Sequence, residues 1–230
     1  MNTNVTLASI ALPKAVFFDW DGTLVDSLAF LEAAHDHILQ VFGKAPRAQG
    51  WFGDKYFGQP REFIYTDIYE AQSEEAKPLF EAYVRENHIG ALQPMDGAQE
   101  MLQAFQDHGV PMGVVTNKVR EFVGPEIEHF GWDAYFKSLV GANEASDDKP
   151  SAAPLLLAID RASLQGLDIG DIWYVGDTRA DMGCAKNAGA KMVYLEYLSR
   201  DDEWLEKYPP LLRAKNCKEI TAFLLQILEK

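Results

Sequence analysis

Ala15-Val16-Phe17-Phe18-Asp19-Trp20-Asp21-Gly22-Thr23-Leu24-Val25-Asp26-Ser27 is the stretch that decides the fold. Its first four residues are apolar and include β-favouring Val and Phe, so they read as a short strand buried on both faces. The run stops at two carboxylates two positions apart, followed by Gly22-Thr23. In open α/β sheets ligands bind at the carboxyl ends of the strands, so an Asp placed there can act as a nucleophile or a metal ligand. Asp21 can serve as a general acid/base if the chain turns sharply enough to aim both carboxylates inward. The competing reading is a strand, an Asp-Gly turn and two solvated acids.

Outward from this stretch, residues 1–14 read as a loose lead-in. Asp26 or Ser27 is placed to cap a helix to Phe42, with Leu28, Leu31, Ile38, Leu39 and Phe42 on one face and Gly43 closing it. Gly50 to Gln59, rich in Gly and aromatics, reads as an ordered loop. Pro60 opens a helix carrying Phe63, Ile64 and Ile68, and Ser73 to His88 is a third, with Pro78 as an alternative start. No strand signal falls between Ser27 and Leu92. From Pro94 onward helices and strands alternate. Strands are expected at Val110–Thr116, Ser138–Ala142, Ile172–Gly176 and Met192–Leu195, with a weak one near Arg213. Between them lie a helix from Ala98, one interrupted by Gly124-Pro125, and helices around Pro154–Arg161, Arg179–Ala188 and Glu219–Leu228. The expectation is an α/β, doubly wound parallel sheet with a helical segment inserted after the first strand.

In that topology every strand delivers its C-terminal residues to one edge of the sheet. Asp19 and Asp21 would meet Thr116, Asn117 and Lys118 from the second strand, Lys149 from the loop after the third, and Asp177 and Asp181 from the fourth. This set suits phosphoryl transfer. Asp19 would attack phosphorus, splitting one difficult displacement into two easier ones. Mg²⁺, a hard ion that takes oxygen ligands, would sit between Asp19 and Asp177 and offset the repulsion between carboxylate and phosphate. Lys149 supplies a second positive charge, and Thr116 with nearby N–H groups supplies hydrogen bonds to phosphate oxygens. Asp21 would protonate the leaving alkoxide and then activate water.

The chain as a whole agrees. It has 230 residues, 47% hydrophobic and 24% charged, an ordinary globular composition. The net charge of −14, from 21 basic against 35 acidic residues, repels nucleic acid and anionic membranes. A small anion is still admissible where local cations oppose it, because screening confines distant charges to about 8 Å. No apolar run approaches the roughly 20 residues of a membrane span, and Val5 to Leu12 lacks the flanks of a signal peptide. Cys184 and Cys217 form no spaced cluster, which points to a reducing, cytoplasmic setting.

Phe18-Asp19-Trp20-Asp21-Gly22-Thr23-Leu24 resembles the first motif of the haloacid dehalogenase-like hydrolases. Val114-Val115-Thr116-Asn117-Lys118 resembles the second, Lys149-Pro150 the third, and Gly176-Asp177-Thr178-Arg179-Ala180-Asp181-Met182 the fourth. They occur in the family's order across residues 15 to about 190. Gly-Thr-Leu-Val-Asp-Ser, Thr-Asn-Lys and Asp-Met-x-x-Ala-x-Asn-Ala-Gly look most like the phosphoglycolate phosphatase-like subgroup. The resemblance implies that Asp19 is the nucleophile and Asp21 the acid/base, and that Asp21 also binds Mg²⁺ through its main-chain carbonyl. By the same likeness Asp177 completes the metal site, and Asp181 is either a further ligand or an orienting acid. Thr116, Asn117 and Lys149 are then the phosphate-binding residues. The helical segment, residues 27–92, would be a cap domain on a catalytic core of residues 1–26 and 93–230. Two departures stand out: Trp20 replaces the commoner aliphatic residue, and Ser151-Ala152-Ala153-Pro154 shifts a Pro that usually follows the third motif more closely.

The implied partner is a small phosphorylated metabolite, acted on by a monomer or homodimer without nucleic acid or membrane. In the cap, Arg61 and Lys55 are candidates for reading a substrate's remote anion, against the reading of each as a solvated side chain. A sugar-phosphate phosphomutase would keep both aspartates and protect the phosphorylated Asp19. A phosphonate hydrolase would need a cap Lys, for which Lys44 and Lys55 lack context, and a dehalogenase would not keep Asp21. A receiver-like signalling module would be about half this length and lack the insert. A dinucleotide-binding protein would carry Gly-x-Gly-x-x-Gly, absent here.

Overall fold

The structure, a computed structural model, describes residues 10–57, 59–197 and 202–229; most of the lead-in, residues 1–9, lies outside the described residues. The apolar opening run forms β1 (Ala15–Phe18), whose four residues are all fully buried. Its neighbours are β4 (Met112–Val115) and β6 (Ile172–Gly176), each paired with it in parallel. With β5 (Phe136–Val140), β7 (Lys191–Leu195) and β8 (Leu212–Ala214) they make a six-stranded parallel sheet in the order β5-β4-β1-β6-β7-β8. The chain winds outward from β1 on one side and then returns to start the other side at β6. The connection order therefore reverses at β1, which puts the binding crevice of such a sheet at its carboxyl end.

Both faces are covered, as a sheet of near-continuous apolar strands requires. Val16 and Phe18 pack on one face with α5 (Ala98–Asp107), α6 (Arg120–Phe130) and α10 (Cys217–Leu228). Ala15 and Phe17 point to the other, against α7 (Ala153–Arg161) and α8 (Arg179–Ala188). A short α9 (Asp202–Lys207) adds Leu205 to that second cluster.

Between β1 and β4 lie α1 (Leu28–Val41), α2 (Gly53–Tyr56), α3 (Arg61–Tyr69) and α4 (Ser73–Ala91). They bury a cluster of their own, built on Ile38, Leu39, Phe52, Tyr56, Tyr65 and Tyr69. The chain leaves and re-enters the sheet through an antiparallel ribbon of β2 (Val25–Asp26) and β3 (Gln93–Pro94). At two residues per strand, it carries no alternation for sequence reading to detect.

Several local expectations change. The aromatic stretch before Gln59 contains the one-turn α2 rather than only loop. α4 begins at Ser73 with Pro78 inside it, and α6 runs unbroken through Gly124-Pro125. Each Pro forfeits one backbone hydrogen bond near the start of its helix, while buried Phe122, Val123 and Ile127 hold α6 against the core. Ser27 sits at the N-cap of α1 without a side-chain cap bond, its hydroxyl buried and unpartnered. Asp26 instead accepts a hydrogen bond from the Tyr197 hydroxyl at 2.7 Å. α10 starts two residues earlier than expected, capped by Asn216 Oδ1 at 3.0 Å from the Glu219 N–H.

Candidate active site

The carboxyl edge of the sheet and the underside of the helical insert enclose a cavity of about 170 Å³. β1 delivers Asp19 to its floor, where the Asp19 N–H donates to the Val175 carbonyl at 2.9 Å. The chain then turns back on itself. Leu24 and Val25 N–H groups both donate to the Trp20 carbonyl, at 2.9 and 3.0 Å, and Gly22 N–H to the Val25 carbonyl at 2.8 Å. Gly22 has φ +79°, and a Cβ there would come within 2.5 Å of Asp177 Oδ2, so the turn needs glycine. The same cavity wall contains Asp19 and Asp21, which meets the condition that the carboxylates share one crevice.

Asp19, Asp177 and Asp181 are buried and place carboxylate oxygens within 4.8 Å of one another. Lys149 reaches into this group: its Nζ lies 2.7 Å from Asp19 Oδ1, 2.5 Å from Asp181 Oδ1 and 3.2 Å from the Val115 carbonyl. Burial, reinforced by the charge of Asp181 and opposed by Lys149, pushes Asp19 up to about 7. Burial and the two neighbouring carboxylates likewise raise Asp177 well above the usual range. Lys149 is held above the ordinary lysine value: burial opposes its charge, but Asp181 and Asp19 outweigh it. Three carboxylates and one ammonium leave a formal charge of −2 in a buried group. An all-oxygen donor set with that deficit fits a hard divalent cation such as Mg²⁺.

Each of these side chains is held by local structure. Thr23 donates to Asp177 Oδ1 at 2.9 Å. Asp181 forms a capping box with Thr178 at the start of α8: its Oδ2 accepts from Thr178 N at 2.9 Å and Oγ1 at 2.5 Å. Both Asp181 oxygens are thus engaged, one by Lys149 and one by Thr178. Gly176 lacks the Cβ that would collide with the Asp181 side chain. Thr116, at the end of β4, accepts the Lys118 N–H at 3.1 Å and lines the cavity, which leaves its hydroxyl proton free to point inward. Asn117 ties two loops together: its amide donates to the Lys149 carbonyl at 3.1 Å and its Oδ1 accepts the Lys149 N–H at 3.0 Å. Its side chain thereby holds the Lys149 backbone, so any contact of Asn117 with phosphate falls to its own backbone N–H.

A second buried group lies beside the first. Glu126 of α6, 1% exposed, accepts from Trp20 Nε1 at 2.5 Å and Lys118 Nζ at 2.9 Å, and is 2.6 Å from His88 Nδ1 of α4. Lys118 Nζ also lies 3.2 Å from Asp21 Oδ1. Burial alone would raise Glu126, but hydrogen bonds from His88, Lys118 and Trp20 hold it below the usual carboxylate range. Lys118 is raised because Asp21 and Glu126 outweigh its burial. Trp20 thus points away from the cavity and stacks edge-on against Trp132, with ring centres 5.8 Å apart. Glu126 and His88 escaped the sequence reading. The available signal was an acid at position 126 in the apolar stripe of Phe122, Val123 and Ile127.

The insert contributes the cavity's other wall. Arg61 lines it but is paired with Glu81 at 2.6 Å. Lys55 does not: its Nζ pairs with Asp67 at 2.5 Å on an exposed surface, outside the lining. The reach of Lys55 is turned away by that pair, so it is not brought together with the other candidates.

The family model for haloacid dehalogenase-like hydrolases matches residues 16–195. Phosphoglycolate phosphatase 1 of Pseudomonas aeruginosa is 32% identical over 219 residues, 91% of this chain and 79% of the relative. A phosphoglycolate phosphatase of Pseudomonas putida is 32% identical over 196 residues, covering 81% and 70%. Among solved structures, a haloacid dehalogenase-like hydrolase from Streptococcus pneumoniae superposes with TM-score 0.78 at 21% identity, covering 92% of this chain and 98% of that one. A haloacid dehalogenase superfamily hydrolase from Geobacter sulfurreducens gives 0.70 at 22%, covering 97% and 100%. The chain belongs to the haloacid dehalogenase-like hydrolases.

Proposed function

We propose that this chain is a Mg²⁺-dependent phosphatase that hydrolyses a small phosphomonoester through a phosphorylated Asp19. The observation that carries the reading is the buried group of Asp19, Asp177 and Asp181 around Lys149, with Thr116 and Asp21 on the same wall. Asp19 and Asp177, with the Asp21 carbonyl, would hold the ion, and Asp181 is better suited to orienting Lys149 than to binding metal, since both its oxygens are engaged. Bound there, Mg²⁺ supplies the positive charge that lets an anionic nucleophile approach a phosphate dianion.

Asp19 Oδ forms the new bond to phosphorus as the ester oxygen departs, taking its proton from Asp21. Asp21, now a carboxylate, removes a proton from water as that water attacks phosphorus. This breaks the bond to Asp19 and releases inorganic phosphate. Lys149 and the Thr116 hydroxyl bind the phosphate oxygens, and Asn117 fixes the Lys149 backbone. Residues 27–92 act as a cap that excludes water from the crevice. Arg61 belongs to the specificity wall; Lys55 stands outside it.

The two cysteines are buried and unpaired, in keeping with a reducing cytoplasmic setting. Among the described residues no helix is long and apolar enough to cross a membrane. Phosphoglycolate, named by the relatives, is the first ester to assay. Phosphate release should require Mg²⁺, stop on chelation and vanish in Asp19→Asn. Release that survives either treatment contradicts the reading.

A further inference from the structure

The cap side of the cavity has a composition that bears on the leaving group. Toward the insert its wall is mostly apolar, with Leu31 on α1, Phe52 and Phe57 on either side of α2, Ile64 on α3, and Phe80 and Val84 on α4. His35 belongs to the same wall, buried and neutral, stacked on Phe80 and Phe52 with ring centres 4.3 and 4.9 Å apart. Burial lowers its pKa to about 3, so it offers no positive charge to a ligand at neutral pH.

Among the described residues the cavity wall contains three cations, and each already faces a carboxylate. Lys149 stands between Asp19 and Asp181. Lys118 stands between Asp21 and Glu126. Arg61 is paired with Glu81, which also lines the cavity. A divalent ion would make up the deficit at Asp19, but nothing comparable serves the far end. A second carboxylate on the substrate would have to enter an apolar wall and displace Glu81 to gain a partner, which opposes its binding.

A neutral polar group would be received there. The Tyr65 hydroxyl is buried beside Arg61 with no acceptor for its own proton, and Tyr65, 3% exposed, belongs to the same wall. An unpaired buried O–H is costly unless something accepts from it.

Resting on the phosphatase reading above, we infer that the preferred substrate is the phosphomonoester of an alcohol with a mainly apolar body and an uncharged hydrogen-bond acceptor at its far end, not of a compact hydroxy acid. Glu81 is the residue that sets this preference, by cancelling Arg61. The apolar wall gives affinity in proportion to the area it covers, and Tyr65 with the Arg61–Glu81 pair orients the distal group.

The test compares kcat/KM for 2-phenylethyl phosphate, ethyl phosphate and phosphoglycolate, none of which has an activated leaving group, with Mg²⁺ present. The phenylethyl ester should exceed each of the others by at least about tenfold, the scale expected for burying a ring's apolar area. In Glu81→Gln, where Arg61 is released, the ratio of phosphoglycolate to phenylethyl phosphate should rise by about fivefold or more. A smaller preference in the native protein, or a ratio unmoved by Glu81→Gln, overturns the inference and leaves the phosphatase reading standing. If none of the three esters releases phosphate faster than with Asp19→Asn, the phosphatase reading falls and this inference with it.

Discussion

Two buried carboxylate groups lie side by side in this protein, and they are balanced in opposite ways. Around Lys149, three acids share one ammonium, and two of those acids are pushed above their ordinary range. Around Glu126, one acid receives an indole N–H, a lysine and a histidine, and is held below its ordinary range. Burying charge without full compensation is expensive, so an under-compensated group is maintained where a ligand completes it. A fully partnered acid has nothing left to offer a ligand, and its work is positional. The two groups meet at Lys118, which bonds both Glu126 and Asp21. The satisfied cluster thereby holds Asp21, the acid/base of the proposed reaction, beside the unsatisfied one.

The contrast can be broken most severely at Lys149. Lys149→Met leaves three buried acids with no protein cation, and kcat should fall by about 10³-fold, the scale of losing a principal charge-stabilising donor. In steady-state assays at saturating Mg²⁺, a loss under tenfold would mean that the metal alone balances the group. Glu126→Gln attacks the other cluster. Breaking a buried ion pair on one side should cost about 3 kcal/mol in urea unfolding, and a loosened Lys118 should lower kcat roughly tenfold with little change in KM. A stability loss without the fall in kcat would separate Glu126 from Asp21.

A third, smaller effect comes from His35. Its pKa is lowered to about 3, because burial disfavours the charged ring. Above the ordinary value of 6.5 both folded and unfolded chains hold it neutral, and its burial carries no penalty from protonation. As pH falls below 6.5 only the unfolded chain takes up the proton, so folding stability is lost toward acid. At pH 5 the loss is about 2 kcal/mol at ~1.4 kcal/mol per unit. Urea midpoints at pH 7.5 and 5 should therefore diverge more in the native protein than in His35→Gln. Least of all, Lys55→Ala should change KM for any of the esters by less than about twofold, since an exposed pair outside the cavity has little to lose.

How much of this was legible beforehand follows from where the signals lie. β1 could be read because four consecutive apolar residues leave no solvated face, and the acids stood out because each follows such a run. The residues around Lys149 come from four separate strand ends or loops, yet parallel topology carries them to one edge, so the order of motifs was enough. The Glu126 group has no such rule. Trp20 and His88 reach it from 106 and 38 residues away, and only the misplaced acid in an apolar helical stripe hinted at it. The same holds for Arg61 and Lys55: both are basic residues near an aromatic stretch, but which one lines the cavity depends on whether Glu81 or Asp67 lies within reach. Pairings of this kind depend on tertiary contact, which local pattern does not encode.

In the proposed reaction Asp19 carries the phosphoryl group and Asp21 governs its release. Intact-mass and peptide-level mass spectrometry of Asp21→Asn, quenched in acid during incubation with a phosphomonoester and Mg²⁺, tests it directly. One added phosphoryl group located on Asp19 is the expected result. An unmodified Asp19 in a variant that still turns over substrate would contradict it.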